Sequence, residues 1–288
     1  MYENIYGLSC VENQVLAILR SKGMNISILY HDCAMPMKEL FFFMVLKQNK
    51  QEYFNRVARV QDVLKQLGVI ELEKIVEPDA KKVQNTIRNC AENEYILTRI
   101  TKKFTVDTFH ARGFRDDHYV LVKPNELDFK LYNDIPEATD IVTAEQFLKA
   151  YDGEYLKLTI LRNLDKKDEI LLFKKRNFKP EKQVPFMFYE KDFNDVTNLG
   201  IGLTNMMGVY KTLRYRMAEY YGEYIDTSFI SKEEIEQLYS MLAYYNLKKI
   251  SFTKYYEILS RLNNIDIEII DTLREKLEEK SNVKRTIK

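Results

Sequence analysis

The period of the hydrophobic pattern changes once along the chain, near residue 165, and that change limits the fold more than any single motif. Before it, stretches with helical spacing mix with runs of strand length. After it, apolar residues recur almost wholly at helical spacing. Nine Gly and six Pro among 288 residues are about half of ordinary usage, which disfavours a turn-dense all-β fold and favours long helices. A chain of this length makes one large domain or two modest ones. The division is expected between residues 164 and 165.

N-terminal to that division Val11, Val15, Ile18 and Leu19 share a helical face, and helical patterns continue over residues 37–47 and 51–67. Pro78 opens a further helix to about Cys90. Strand-like runs then cover 95–100, 118–122, 127–132 and 155–161, with a short helix at 143–150 capped by Thr143. C-terminal to it a strand is expected at 169–174, followed by helices over 193–224, 232–245, 253–262 and 267–280. Ser231 and Glu234 have capping-box spacing, whereas Gly200, Gly202 and Gly208 predict a break in the first of these helices. The basic tail 284–288 reads as a frayed end.

With 44 Lys+Arg against 43 Asp+Glu, the chain has no global field for nucleic acid or anionic lipid. No apolar window reaches the roughly 18 residues of a membrane span, and Met1-Tyr2-Glu3-Asn4 does not resemble a signal peptide. The expectation is a cytoplasmic protein with reduced thiols. Cys10, Cys33 and Cys90 are far apart and lack CxxC or nearby His, against both a disulfide framework and a zinc site. A Walker A loop, HExxH and GxSxG are all missing, and Gly200-Ile201-Gly202 lacks the third glycine of a dinucleotide fingerprint.

Ser9-Cys10-Val11-Glu12 has a capping-box signature, with Ser9 as N-cap and Cys10 as the first helical residue. A thiol there faces unpaired N–H groups and the positive end of the helix dipole, which favour thiolate. Cys10 therefore reads as a nucleophile, or else as a small buried apolar side chain. Of the three histidines, His118 opens a strand-like run. Pairing of that run about the turn Pro124-Asn125-Glu126 sets His118 opposite Asn133 or Asp134, either of which could fix its tautomer. His31 and His110 read as structural or surface residues, the latter in a loop with Phe109, Arg112 and Arg115. Cys33 and Cys90 lack any cap context.

An early Cys at a helix start, a His opening a strand and an Asp ending the next strand resemble the papain-like fold. The chain is more closely similar to the peptidase C39-like branch, through residues 10–19, 118–122, 133–136 and 143–155, within a match covering about 1–162. Within that branch it resembles the group of the butirosin acyltransferase and the closthioamide amide synthetase. The resemblance implies an α+β, papain-like fold, with N-terminal helices and an antiparallel sheet at 1–164. A mainly helical region at 165–288 would cover the active site.

It further implies a Cys–His–Asp acyltransferase of antibiotic (nonribosomal peptide type) biosynthesis. Such an enzyme takes an acyl group from an acyl or peptidyl carrier protein and passes it to a small amine or diamine. The acyl group rides on the partner's phosphopantetheine, and the chain itself needs no cofactor or metal. Cys10 would be nucleophile, His118 base and then acid, and Asp134 the orienting residue. Asn4, where the family has Gln, would serve the oxyanion hole beside the Cys10 N–H. A C39-like peptidase using the same residues and a non-catalytic carrier-binding protein are the alternatives. The stretch from Tyr210 through Lys211 and Arg214 to Arg216 could meet an acidic carrier or a phosphate, or could be the solvated face of a helix.

Overall fold

The computed structural model describes residues 1–31, 33–47, 59–110, 118–176, 182–183, 186–189, 199–248 and 251–286. The chain forms two compact units, Met1–Ile26 with Arg59–Asp168, and Ser27–Ala58 with Glu169–Lys288. This differs from a cut at 164: the segment Ser27–Ala58 belongs with the C-terminal region. Of the helix expected at 51–67, Val60–Gln66 is helical, and 51–58 lies outside the described residues. Among the described residues no helix is long and apolar enough to cross a membrane.

The first unit is α+β. Its six strands are β1 (Ile70–Val76), β2 (Glu94–Ile100), β3 (Tyr119–Asn125), β4 (Asp128–Asn133), β5 (Ala138–Val142) and β6 (Tyr151–Ile160). They form one sheet in the order β1-β6-β2-β3-β4-β5, every neighbouring pair antiparallel. Strand alternation sends Ile96, Val120, Val122 and Phe129 to one face. There they pack with Val83 and Ile87 of one helix (Ala80–Arg88) and Phe147 of another (Ala144–Ala150). Thr143 caps the latter helix in a complete capping box with Gln146.

Helix α1 (Cys10–Ser21) packs against β3. Since Val120 and Val122 face the core just described, the buried Leu121 and Tyr119 point the other way. Every residue from Glu12 to Leu19 is buried, so α1 is a core element rather than an amphipathic surface helix. Its buried polar residues Glu12, Asn13 and Gln14 must therefore find partners inside the protein.

In the second unit α2 (Met37–Phe41) continues as a π turn over Phe42–Leu46. Phe41 packs its ring against Phe186 and Phe188, with centroids 5.6 and 4.9 Å away. The strand expected at 169–174 is instead within a helix, Lys166–Arg176. The carboxylate of Asp165 accepts from Lys167 N at 2.7 Å and Asp168 N at 3.0 Å, which starts a helix where the apolar run suggested a strand.

Among the described residues this unit also has three long helices: α3 (Leu199–Gly222), α4 (Lys232–Lys248) and α5 (Phe252–Thr286). Glycine does not break α3. A Cβ on Gly202 would lie 3.4 Å from the Met44 carbonyl oxygen, so that glycine permits a close approach to the π turn. Nor does a break separate 253–262 from 267–280. The polar residues there, Asn263 and Asp266, are buried, bonding Phe186 O and Arg214 respectively.

Candidate functional site

Cys10 is the first residue of α1 and is partly exposed. Ser9 has extended backbone and its hydroxyl accepts from Glu12 N at 3.2 Å, so the N-cap forms as its sequence predicts. The other half of the expected box does not. The Glu12 carboxylate instead takes Leu8 N at 2.5 Å and Val60 N at 2.7 Å, tying the helix start to the preceding loop and to the segment returning at residue 59.

His118 directly precedes β3 and is 3% exposed. Its Nε2 lies 2.5 Å from Asn133 Oδ1. The orientation of that amide is fixed from its other end, where Asn133 Nδ2 donates to the Pro136 carbonyl at 2.6 Å. An amide oxygen only accepts, so Nε2 carries a proton and Nδ1 is the nitrogen at which proton exchange would occur.

The direct contact expected of Asp134 is therefore made by Asn133. Asp134 Oδ1 stands 3.9 Å from the same Nε2, with both side chains 2% exposed. The β3–β4 register explains the difference. Leu121 pairs with Tyr132 and Asn125 with Asp128, so the turn is Glu126-Leu127, with Glu126 at φ 55°, and Pro124 and Asn125 belong to the strand. His118 then has no cross-strand partner in the ladder. The side chains of Asn133, the last residue of β4, and of Asp134 directly after it reach it instead.

Asn13 is a residue that sequence reasoning missed. Its Nδ2 donates to Asp134 Oδ2 at 2.8 Å, and its Oδ1 accepts from Gly7 N at 2.8 Å. Gly7 has no room for a side chain, since a Cβ would lie 2.3 Å from Asn13 Oδ1. One chain of hydrogen bonds thus links the loop before Cys10 to the carboxylate behind His118. Burial holds the Asp134 carboxyl above the usual range, opposed by the Asn13 bond and by the charge of His118.

Tyr119, next to His118, was also missed. Its hydroxyl donates to the buried Glu154, which also receives Lys74 Nζ at 2.9 Å and Arg99 Nη1 at 3.2 Å. Burial raises the Tyr119 pKa, as do its bond to Glu154 and the charges of Glu154 and Cys10, while Arg99 opposes them. The thiol and the phenol are thus electrostatic neighbours.

Asn4 is exposed in a left-handed turn at φ 55°. Its side-chain oxygen accepts from the Tyr6 hydroxyl at 3.3 Å, and its carbonyl accepts from Arg20 at 3.3 Å. Its known contacts are thus on the surface, apart from the His118 cluster. Cys33 is fully buried, and burial followed by Glu94 raises the thiol pKa of Cys90. His110 ends a short helix, Lys102–Phe109, with φ 54°, while Arg112 and Arg115 lie outside the described residues. Among the described residues no cluster of His, Cys, Asp or Glu is arranged to hold a metal ion.

The stretch at 210–216 is not uniformly solvated. Lys211 and Tyr215 are half-buried and meet Glu236, whereas Tyr210, Arg214 and Arg216 turn inward and are all 0% exposed, inside the helical unit. Comparison with protein-family models, curated proteins and solved structures finds no match.

Proposed function

We propose that Cys10, His118 and Asn133 form a papain-like cysteine centre, with Asp134 and Asn13 behind it, and that this centre catalyses amide-forming acyl transfer. The observation that carries the reading is the imidazole held through Nε2 by a fixed amide oxygen. That bond directs Nδ1 to proton transfer, at the head of a strand that packs against the helix Cys10 begins. Motif order and the antiparallel sheet support the papain-like assignment; the resemblance to the butirosin and closthioamide group supports transfer from a carrier-protein thioester.

In the first half-reaction the Cys10 sulfur attacks the thioester carbonyl and His118 holds the thiol proton. The carrier thiol leaves with that proton, giving an acyl-Cys10 thioester. In the second, an amine attacks the acyl carbon, His118 takes a proton from nitrogen, and amide leaves as the Cys10 thiol is restored. The negative oxygen formed in each step would be met by the Cys10 N–H, with Asn4 as second donor after a turn of its side chain toward the thiol. Asp134 stabilises the imidazolium that forms in each half-reaction.

Intact-mass and peptide-map analysis after incubation with acyl-carrier thioesters, with and without amine, tests this. The expected result is acylation mapped to Cys10 and an amide that requires both Cys10 and amine. Peptide cleavage with refusal of every carrier thioester would establish the peptidase alternative. Carrier binding without any acylation would leave a non-catalytic protein.

A further inference from the structure

At the end of α1 remote from Cys10 the sheet-bearing unit has a cleft of about 410 Å³. Its charged lining is Lys22, Arg88 and Lys123 with the two acids Glu92 and Glu94, and Tyr95, Ile87 and Ile96 supply ring and apolar surface. Lys22 is the C-cap of α1, so the 12-residue helix separates this cleft from Cys10 by about 18 Å, at about 1.5 Å per residue. The volume is in the range of small-molecule sites.

Lys123 is the unusual residue. Its ammonium lies between two rings, 5.8 Å from the centroid of Tyr95 and 5.7 Å from that of Tyr132, and among the described residues no carboxylate pairs with it. Burial lowers its pKa, and so do the neighbouring charges of Lys22 and Lys130. The two acids of the lining do not pair with Lys123. Glu94 is paired with Lys157 at 2.6 Å, and the exposed Glu92 reaches only Lys22, at 3.5 Å.

Arg88 is held in place by the carbonyls of Glu126 and Leu127, and its guanidinium lies 4.6 Å from the centre of the Phe129 ring. The two tyrosine rings attract the Lys123 ammonium but do not neutralise it, and a half-buried cation crowded by two others would be stabilised further by an anion. Two lysines acting as point charges match a dianion better than a carboxylate.

We propose that this cleft binds a phosphate-bearing small molecule, its phosphate paired with Lys22 and Lys123 and its organic portion on the Tyr95 wall. The site is separate from Cys10 and does not rest on the acyl-transfer reading.

Thermal denaturation titrated with phenyl phosphate, at ionic strength held constant with sodium chloride and with phenol as the neutral control, tests the proposal. The expected result is a saturable rise in Tm with phenyl phosphate and none with phenol. Lys123→Met and Lys22→Met should each weaken binding at least about tenfold. Without ligand, Lys123→Met should melt at or above the wild-type temperature, because the unpaired charge is gone and the apolar stem remains. A second readout in the wild type serves if a variant fails to fold: phenyl phosphate should slow acetylation of Lys123, mapped by mass spectrometry, and leave exposed lysines unaffected. No saturable response, an undiminished response in both variants, or unprotected Lys123 would overturn the site.

Discussion

Asp134 in the sheet-bearing unit and Asp266 in the helical unit are both buried carboxylates, 5% and 3% exposed, and their surroundings differ in kind. Asp266 is fully committed. Its Oδ1 takes Arg214 Nε at 3.0 Å together with Nη2, and its Oδ2 takes Met37 N at 2.9 Å. Arg214 spends its other donors on the carbonyls of Cys33 at 2.9 Å and Met35 at 2.8 Å. Burial alone would lower the Arg214 pKa, but Asp266 more than offsets it and the net shift is upward.

Asp134 takes a firm side-chain bond from Asn13, with the backbone N–H groups of Asp134 and Ile135 also favouring its charged form. Its other oxygen has no hydrogen-bond partner among the described residues and lies 3.9 Å from a titratable ring. Saturated pairing fixes a shape. A partly satisfied carboxylate beside an imidazole instead retains a capacity to respond when that ring gains a proton.

The comparison is most sharply tested by removing the groups that should do chemistry. Cys10→Ala and His118→Ala should each lower acyl-enzyme formation by at least about a thousandfold, with unchanged circular dichroism. Asn133→Ala should cost more activity than Asp134→Asn, because the amide makes the direct bond. The reverse order, measured as single-turnover rates, would return the orienting role to Asp134.

The next largest effect is on stability. Arg214→Met leaves Asp266 buried without its cation and should cost about 3–5 kcal/mol in urea unfolding. Adding Asp266→Leu should restore most of that loss. A single variant as stable as wild type would show that the pair is not the committed structural contact described.

The smallest effect is a pH slope. The folded pKa of Asp134 is raised, so its contribution is fully present below the ordinary value of 3.8 and lost as pH rises through the raised value. Asp134→Asn should remove that loss, and the difference in Tm between variant and wild type should move in the variant's favour from acid toward neutral pH. A constant difference would mean that Asp134 does not titrate as its burial requires.

Local signals were legible wherever one segment decides its own structure. The Ser9 cap, the Thr143 capping box and strands β2, β3, β4 and β6 all follow from short-range pattern. Two strands were missed, and the burial pattern shows why. β1 and β5 are the edges of the sheet, and in each only one residue is fully buried, Ile70 and Val142, so neither presents an alternating apolar face. Asn13 and Arg214 were illegible for another reason. Their partners are 121 and 52 residues away, and nothing local marks Asn13 as bound to Asp134 or Arg214 as inside a helical core. The hairpin register was read short because Pro124 and Asn125 suggest a turn, whereas they continue the strand.

The interleaving of the two units bears on how a nascent chain can fold. Ser27–Ala58 leaves the ribosome well before the helix α3 that shares its unit, which begins at Leu199. At about 5–20 residues per second, Leu40 and Phe41 wait on the order of ten seconds or more for those partners. During that interval every described strand of the sheet is already made, since the last ends at Ile160. The apolar side chains of Leu40 and Phe41 stay without that cover until the helix is made. A truncation after Asp168 would make that delay permanent and turn a transient aggregation hazard into a lasting one.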